Sequence, residues 1–484
     1  MSEIPPGRRP MTTAALRRHG HEVVDLVVDH LEHLADGPPW QPVPPAVRDT
    51  LEATPLPADG MGPAELLERI RRDVLPYPFG NGHPRFFGWA NPPPSLEGVL
   101  VDMIATAMNP SCAGGDHAAI HLERGVVRWL ATLVGHPGDG VLVSGGSAGA
   151  LTALAAARHR AARADGWDDR TDGVAHDGAA RLVLYVSGEG HSSHRKAVRL
   201  LGLGDDGMRV VATDPAGRVD PAALRAAVAD DRRAGRRPFG VVASAGVVST
   251  GAIDPLAAIA DVCAEHGLWF HVDGSLGGVG VLDERVAPRY AGMERADSLV
   301  LDPHKWLGVP VDCAAVLVRD LDELRSTFSL VPSYLRTSAG DDPWLSEYVF
   351  DQTRPFRALR LWATLAGAGR NGLAARVRRD NDHAARLAEL VSDAADLELV
   401  AEPDLCVVVF RWRSGARAVD HDDQVNVALP RAVQLEGDVF LTGARLDGRE
   451  VVRACFMHPG TTDDDIDRII PAVRRAARGL TSTG

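Results

Sequence analysis

Lysine is almost missing from this 484-residue chain: Lys196 and Lys305 stand against fifty arginines. Arginine replaces lysine in most solvated and ion-pairing roles, but its guanidinium stays protonated and cannot serve as an amine nucleophile. A GC-rich genome, of the kind an actinomycete or similar bacterium carries, accounts for the scarcity through the abundance of Ala, Gly, Pro and Asp. It does not account for the survival of Lys305 inside Asp302-Pro303-His304-Lys305-Trp306. Positive charge is short as well: a formal charge of -13 argues against nucleic acid as a partner. Long apolar runs are missing, so no segment approaches the roughly 20 residues needed to span a bilayer. The N-terminal MSEIPPGRRP has no apolar core of signal-peptide type. The five cysteines are scattered, odd in number and free of any CxxC pair, which disfavours zinc and redox work and fits reduced thiols in a cytoplasm. His191-Ser-Ser-His194 lacks a third ligand at motif spacing, so no metal is expected. What remains, 45% apolar and 24% charged, is the composition of an ordinary soluble globular protein.

The apolar pattern predicts an amphipathic helix over residues 14–34, through Leu16, Val23, Leu26, Val27, Leu31 and Leu34. A proline-rich stretch from Pro38 to Pro57 reads as an extended connector. From about Pro76 short apolar strands alternate with Ala-rich helices. The strands are Gly140–Val143, Leu182–Val186, Gly240–Ser244, Trp269–Asp273 and Leu299–Leu301. The helices include Ala150–Ala164, Pro221–Arg233 and Pro255–His266. This alternation predicts an α/β fold with a mostly parallel central sheet covered by helices on both faces. A long helical stretch from Arg357 to about Ala395 then leads into strands at Val407–Trp412 and Val451–Met457 and a closing helix at Asp464–Arg478, a smaller C-terminal α+β unit.

Four features stand near strand ends, where open α/β sheets collect ligands. Val141-Leu142-Val143 runs into Ser144-Gly145-Gly146-Ser147-Ala148-Gly149 and a helix, an arrangement that offers backbone amides and a helix N-terminus to a phosphate. It matches neither GxGxxG nor GxxxxGK[ST], which disfavours a dinucleotide or a nucleoside triphosphate; tight strand-to-helix packing is the other reading. Asp273 ends a buried strand and needs a cationic or hydrogen-bonding partner, such as a protonated ring nitrogen, a helix cap or a structural ion pair. His191, on the loop after Leu182–Val186, suits stacking on a planar cofactor or a surface cap. Together, in the order Ser147, His191, Asp273, Lys305, these supply a phosphate cradle, a stacking imidazole, an acid and a tunable amine. Those four functions are what pyridoxal phosphate requires.

At this point the chain resembles the group II pyridoxal-phosphate decarboxylases, relatives of aromatic-amino-acid and glutamate decarboxylases. The resemblance rests on His83-Pro-Arg-Phe-Phe87, Leu142-Val-Ser-Gly-Gly-Ser147, Gly190-His191-Ser-Ser193, His271-Val-Asp273, Ala296-Asp-Ser298 through Asp302-Pro-His-Lys-Trp306, Asp312-Cys313 and Pro332-Ser-Tyr-Leu335. It implies the type I (aspartate aminotransferase-like) fold, with an N-terminal arm and dimerisation segment over 1–82, a large cofactor-binding domain over 83–356 and a small domain over 357–484. It implies Lys305 as the Schiff-base lysine, Asp273 as the pyridinium partner and His191 as the stacking ring. Gly146, Ser147, Ala148, Ser275 and His304 would complete the cofactor site. Tyr334 matches a mobile-loop proton donor, while Trp89, Asn91 and Arg453 would face the substrate, Arg453 holding its carboxylate. The active site would lie at the interface of a homodimer, with residues near His83–Ser95 and Asn109–Cys112 lining the partner's site.

The implied activity is decarboxylation of an L-α-amino acid, or a conjugate derived from one, to its amine. The alternative is an oxidative branch in which dioxygen intercepts the carbanion-like intermediate, giving an aldehyde, carbon dioxide and ammonia. Two departures from the family bear on that choice. Val247 and Val248 stand where relatives usually carry threonines, and Gly274-Ser275-Leu276 follows Asp273 where relatives carry Ala-Ala-Tyr or Ala-Tyr.

Overall fold

The structure is a computed structural model that describes residues 11–330, 343–415 and 419–482. Helices α1 (Thr13–Glu32), α2 (Pro45–Ala53) and α3 (Pro63–Asp73) come first, followed by α4 (Leu96–Met108) and α5 (Ala118–Val134). The large sheet then begins with β1 (Asp139–Val143). Helices α6 (Gly146–Ala164), α7 (Ser192–Leu200), α8 (Pro221–Arg233) and α9 (Leu256–His266) carry the chain in turn to β2 (Leu182–Ser187), β3 (Met208–Val211), β4 (Arg237–Ser244) and β5 (Trp269–Asp273). Short 3-10 turns lead to β6 (Ser298–Leu301), and β7 (Ala314–Val318) completes a seven-stranded sheet of order β1-β7-β6-β5-β4-β2-β3. The pairs from β3 through β6 are parallel; β7 lies antiparallel between β6 and β1. Burial of every residue of β2, β6 and β7 explains why these strands read as continuous apolar runs and not as alternating ones.

Helix α10 (Leu321–Phe328) and the long α11 (Arg357–Ser392), interrupted at Gly369 with φ 62°, lead to the second sheet. There β8 (Leu397–Ala401), β9 (Val407–Trp412), β10 (Thr442–Leu446) and β11 (Arg449–Cys455) pair antiparallel in the order β10-β11-β9-β8, with α12 (Val419–Glu436), α13 (Asp463–Asp467) and α14 (Ile469–Ser482) beside them. The chain around Phe87 joins this sheet: its amide donates to the Phe440 carbonyl at 2.8 Å and its carbonyl accepts from Cys455 at 2.9 Å. No helix among the described residues is long and apolar enough to cross a membrane.

Several elements differ from the sequence expectation. The proline-rich connector contains a helix, α2, opening at Pro44-Pro45, because proline suits the first helical position, where its missing N–H costs nothing. The closing helix divides into α13 and α14. The strands β3, β7, β8 and β10 were not separated from neighbouring loops by the pattern. Helix α6 begins four residues before Ala150, so the glycine-rich loop is itself the first turn of the helix.

Buried charge ties this frame together next to the site. Arg354 pairs with Glu123 of α5, both 1% exposed, and donates to the carbonyls of Cys112 at 2.7 Å and Leu142 at 2.6 Å. Glu123 also accepts the Leu142 amide at 3.1 Å. Removing one member of such a pair leaves the other charge buried without compensation. Arg354→Leu is therefore expected to destabilise the protein by about 3 kcal/mol, read as a clear fall in the urea midpoint; an unchanged midpoint contradicts the assignment.

Candidate active site

Because β1, β2, β4, β5 and β6 point the same way, their carboxyl ends open on one side, and a cavity of about 350 Å³ lies there. Its wall takes Ser144–Ala148 after β1, His191 and Ser193 after β2, Ser244, Gly246 and Val248 after β4, Asp273, Ser275 and Leu276 after β5, and Asp302, His304 and Lys305 after β6. Eight residues expected from the sequence thus meet in one place: Gly146, Ser147, Ala148, His191, Asp273, Ser275, His304 and Lys305. Lys196, the other lysine, is exposed on α7.

The amine of Lys305 lies 3.0 Å from Oδ2 of Asp302, a carboxylate whose side chain is 3% exposed. Asp302 Oδ2 also lies 3.8 Å from Nε2 of His304. Nδ1 of His304 is 2.6 Å from the Cys313 carbonyl, which only accepts, so Nδ1 carries a proton and Nε2 is the ring nitrogen turned toward Asp302. His191 is fixed in the opposite sense. Its Nδ1 accepts from the Ser193 amide at 3.2 Å and faces the Ser193 hydroxyl at 2.8 Å, which leaves the proton on Nε2. Burial pushes its pKa down, Asp273 opposes this and the Lys305 cation adds to it, so the ring stays neutral.

Asp273 accepts the Ser275 amide on Oδ1 at 3.0 Å, and Oδ2 lies 3.3 Å from Nε2 of His194. Burial works against its charge, but His194, Lys305 and Ser275 together hold the carboxyl down to about 2. It is ionised throughout the working pH range of ordinary enzymes.

The other expected residues lie elsewhere. Trp89 and Asn91 do not line this cavity. Trp89 has φ 48° and packs among Phe79, Phe86 and Phe440, with its ring stacked 5.0 Å from that of Phe79. Arg453, 5% exposed on β11, donates to the Trp89 carbonyl at 2.8 Å. Tyr334 lies outside the described residues. Of the two valines, Val247 is fully buried and only Val248, 40% exposed, faces the cavity. The glycine at 274 has a steric reason: a Cβ there would stand 2.9 Å from the Val300 carbonyl oxygen and from a Leu299 methyl.

The pyridoxal-dependent decarboxylase conserved domain matches residues 50–413 of this chain. The chain belongs to that family. An aromatic-L-amino-acid decarboxylase of Bacillus atrophaeus is 31% identical over 96% of both chains. An L-2,4-diaminobutyrate decarboxylase of Rhizobium meliloti is 33% identical over 95% of this chain and 91% of its own. The crystal structure of Oryza sativa TDC with PLP and tryptamine superposes with a TM-score of 0.90 at 28% identity, over 98% of this chain and 99% of that one. The protein is a pyridoxal-phosphate-dependent amino-acid decarboxylase with the α/β fold of these enzymes.

The cavity of this decarboxylase fits its cofactor. The N-cap of α6, Gly145, makes no side-chain capping bond, so the leading amides of a 19-residue helix are free for a phosphate. Asp273 offers an ionised partner to a ring nitrogen, and Lys305 offers the amine. Asp302 and His194 were the residues missed as site members. The first had a signal, an acid three positions before the lysine in the same motif; the second had one too, a histidine one helical turn after His191, which was weighed only as a metal ligand. Among the described residues one other group gathers possible metal ligands, His159, Asp168 and Asp169, but Asp169 is already bound to His159 at 2.6 Å and to Arg158 at 2.9 Å.

Gly146 leaves the space that the cradle uses. A Cβ there would come within 2.5 Å of Ser275 Oγ and 2.9 Å of Asp302 Oδ2, pushing the acid away from Lys305. Gly146→Ala is expected to weaken cofactor binding by about tenfold, the equivalent of one charge-assisted hydrogen bond, while the far-ultraviolet circular dichroism stays native. Wild-type affinity in a titration of the apoenzyme contradicts this placement.

Proposed function

We propose that this decarboxylase converts its L-α-amino acid to the amine and carbon dioxide, with Lys305 carrying the cofactor, Asp273 facing its ring nitrogen and His191 stacking on its ring. The observation that carries the proposal is the convergence of Lys305, of just two lysines in the chain, with Asp273, Asp302 and the imidazoles of His191 and His304 in one cavity. Bound pyridoxal phosphate supplies an aldehyde for an amine and an electron-withdrawing ring for the bond to the carboxylate. The protein's part is to bind, orient and move protons. Asp302 holds the Lys305 amine at 3.0 Å, and His304, fixed through Nδ1 to the Cys313 carbonyl, turns Nε2 toward the same carboxylate oxygen at 3.8 Å. His191 keeps a fixed plane through Ser193 and so covers one face of the cavity. Gly146, Ser147, Ala148 and Ser275 line the cavity around the unspent N-terminus of α6, which supports a role for them as the phosphate cradle. Tyr334, on the motif Pro332-Ser-Tyr-Leu335, is the proposed donor of the proton that Cα receives after carbon dioxide leaves.

We further propose a homodimer. Leu96, Leu100, Met103, Ile104 and Met108 form a stripe along α4, each 49–58% exposed, an apolar face that a second copy would bury. Trp89, Asn91 and Arg453 lie outside the cavity of a single chain, and their substrate contacts belong to the assembled interface. All five cysteines are free and buried, which supports residence in a reducing bacterial cytoplasm.

The product decides between the amine and the oxidative route, for which Val248 gives a specific reason: it puts a methyl-bearing wall where relatives usually carry a hydroxyl. Mass spectrometry of products from a panel of L-amino acids, in air and without oxygen, is expected to show amine in equal yield. Aldehyde formed only in air would instead assign the oxidative route. Lys305→Ala is expected to abolish the visible absorbance of the bound cofactor, and an unchanged band removes Lys305 from its role. Tyr334→Phe is expected to divert product from amine to aldehyde; an unchanged ratio removes the tyrosine as proton donor.

A further inference from the structure

His194 does not line the cavity and reaches the site only through Asp273, yet it is among the most enclosed side chains near it. It lies in the first turn of α7, three residues after His191, with its side chain 2% exposed. Neither ring nitrogen has a hydrogen-bond partner among the described residues, and the nearest acceptor to Nε2 is Oδ2 of Asp273, 3.3 Å away. The other oxygen of Asp273 already accepts the Ser275 amide at 3.0 Å. The two oxygens are therefore approached from the protein side by two different groups. An imidazole N–H left buried with nothing to donate to costs free energy, and a carboxylate oxygen is the strongest acceptor within reach.

The surroundings fix where His194 can go. Its ring meets that of His271 edge-on, centroids 6.1 Å apart and planes at 72°. His271 is pinned in turn, its Nδ1 2.8 Å from Ser298 Oγ, which also accepts from Trp269 Nε1 at 2.7 Å. Burial pushes His271 down to about 3, so this second ring is neutral and places no competing charge behind His194. The charged groups on the cavity side are Asp273 and, beyond it, Lys305 and Asp302. Burial lowers the pKa of His194, against the pull of Asp273 and a smaller one from the His191 backbone; a neutral ring with its proton on Nε2 donates to Asp273.

We propose that His194 is a positioning residue for Asp273: its Nε2–H holds Oδ2 from behind, fixing the plane and the negative charge of the carboxylate that meets the cofactor's ring nitrogen. This rests on the role proposed above for Asp273. The donor makes Asp273 a weaker base than a bare buried carboxylate would be, so the cofactor meets an ionised group already in place. A residue at this position with no N–H to give would fill the space and leave Oδ2 uncompensated.

The test compares His194→Leu and His194→Met, which lack the donor, with His194→Gln, which carries an N–H at similar reach, and with Asp273→Asn. Two quantities are read on each full-length protein: the dissociation constant of pyridoxal phosphate from titration of the apoenzyme, and the pH profile of the bound cofactor's visible absorbance. The donor-less variants are expected to bind the cofactor about tenfold more weakly, the size of one hydrogen bond to a charged group, and to shift the pH profile. His194→Gln should recover most of both. Wild-type affinity and profile in the leucine or methionine variant, beside an impaired Asp273→Asn, overturn the inference alone. A glutamine variant as impaired as a donor-less one also overturns it, since packing would then explain the loss. An Asp273→Asn protein indistinguishable from wild type removes the role of Asp273 and the inference with it.

Discussion

A carboxylate at the end of a buried parallel strand must be met by hydrogens or by positive charge, and the site is organised around that requirement at Asp273. Desolvation alone would drive the group toward its neutral form. The Ser275 amide, the His194 ring and the Lys305 amine reverse the outcome, each delivered by a different loop. The same requirement recurs at Asp302, where the lysine amine is the neighbour, and at Glu123, where Arg354 is. Three acids, two of them fully buried and Asp273 partly so, thus hold the strand ends, the cofactor lysine and the entry to the glycine-rich turn in a fixed relation. The parallel sheet makes this possible by gathering five carboxyl ends on one side.

Much of this was legible in the chain. Lys305 stood out because arginine had displaced nearly every other lysine, and Asp273 because an acid closing a run such as Trp269-Phe-His-Val needs a partner. Buried parallel strands leave long apolar runs, so β2, β4, β5 and β6 were found close to their true bounds. The edge and antiparallel strands were harder. In β10 and β3 most residues are partly exposed and the strands are short, and β7 follows so closely on the lysine motif that no turn signal separates it. The helix within the proline-rich segment is hidden for a different reason: proline content suggests an extended connector, but at the first helical position proline starts a helix. His194 was overlooked because its partner lies 79 positions away in sequence and is brought to it by the β2–β4–β5 pairing alone.

The departures from the family become intelligible at atomic scale. Gly274 is required by the close approach of β6, since its own amide donates to the Val300 carbonyl at 2.9 Å and a side chain would meet that same oxygen. Val247 packs in the core, so its exchange for a hydroxyl residue concerns packing. Val248 reaches the cavity and presents an apolar surface there, beside Ser275 and Leu276 of the other departure. The two valines, adjacent in sequence, therefore belong to different problems.

Strand β7 runs against its neighbours, and its pairing is anchored on both sides: Ala314 opposite Val143 and Ala315 opposite both Leu142 and Leu301. The residue just before it, Cys313, supplies the carbonyl that sets the proton of His304. A strand slipped by one residue presents its other face, and that carbonyl would then turn away from the imidazole. The segment from Trp306 to Asp312 is consequently a spacer of fixed length. An insertion or deletion within it would rotate the hydrogen-bonding partner of a cavity histidine without touching any residue that lines the cavity.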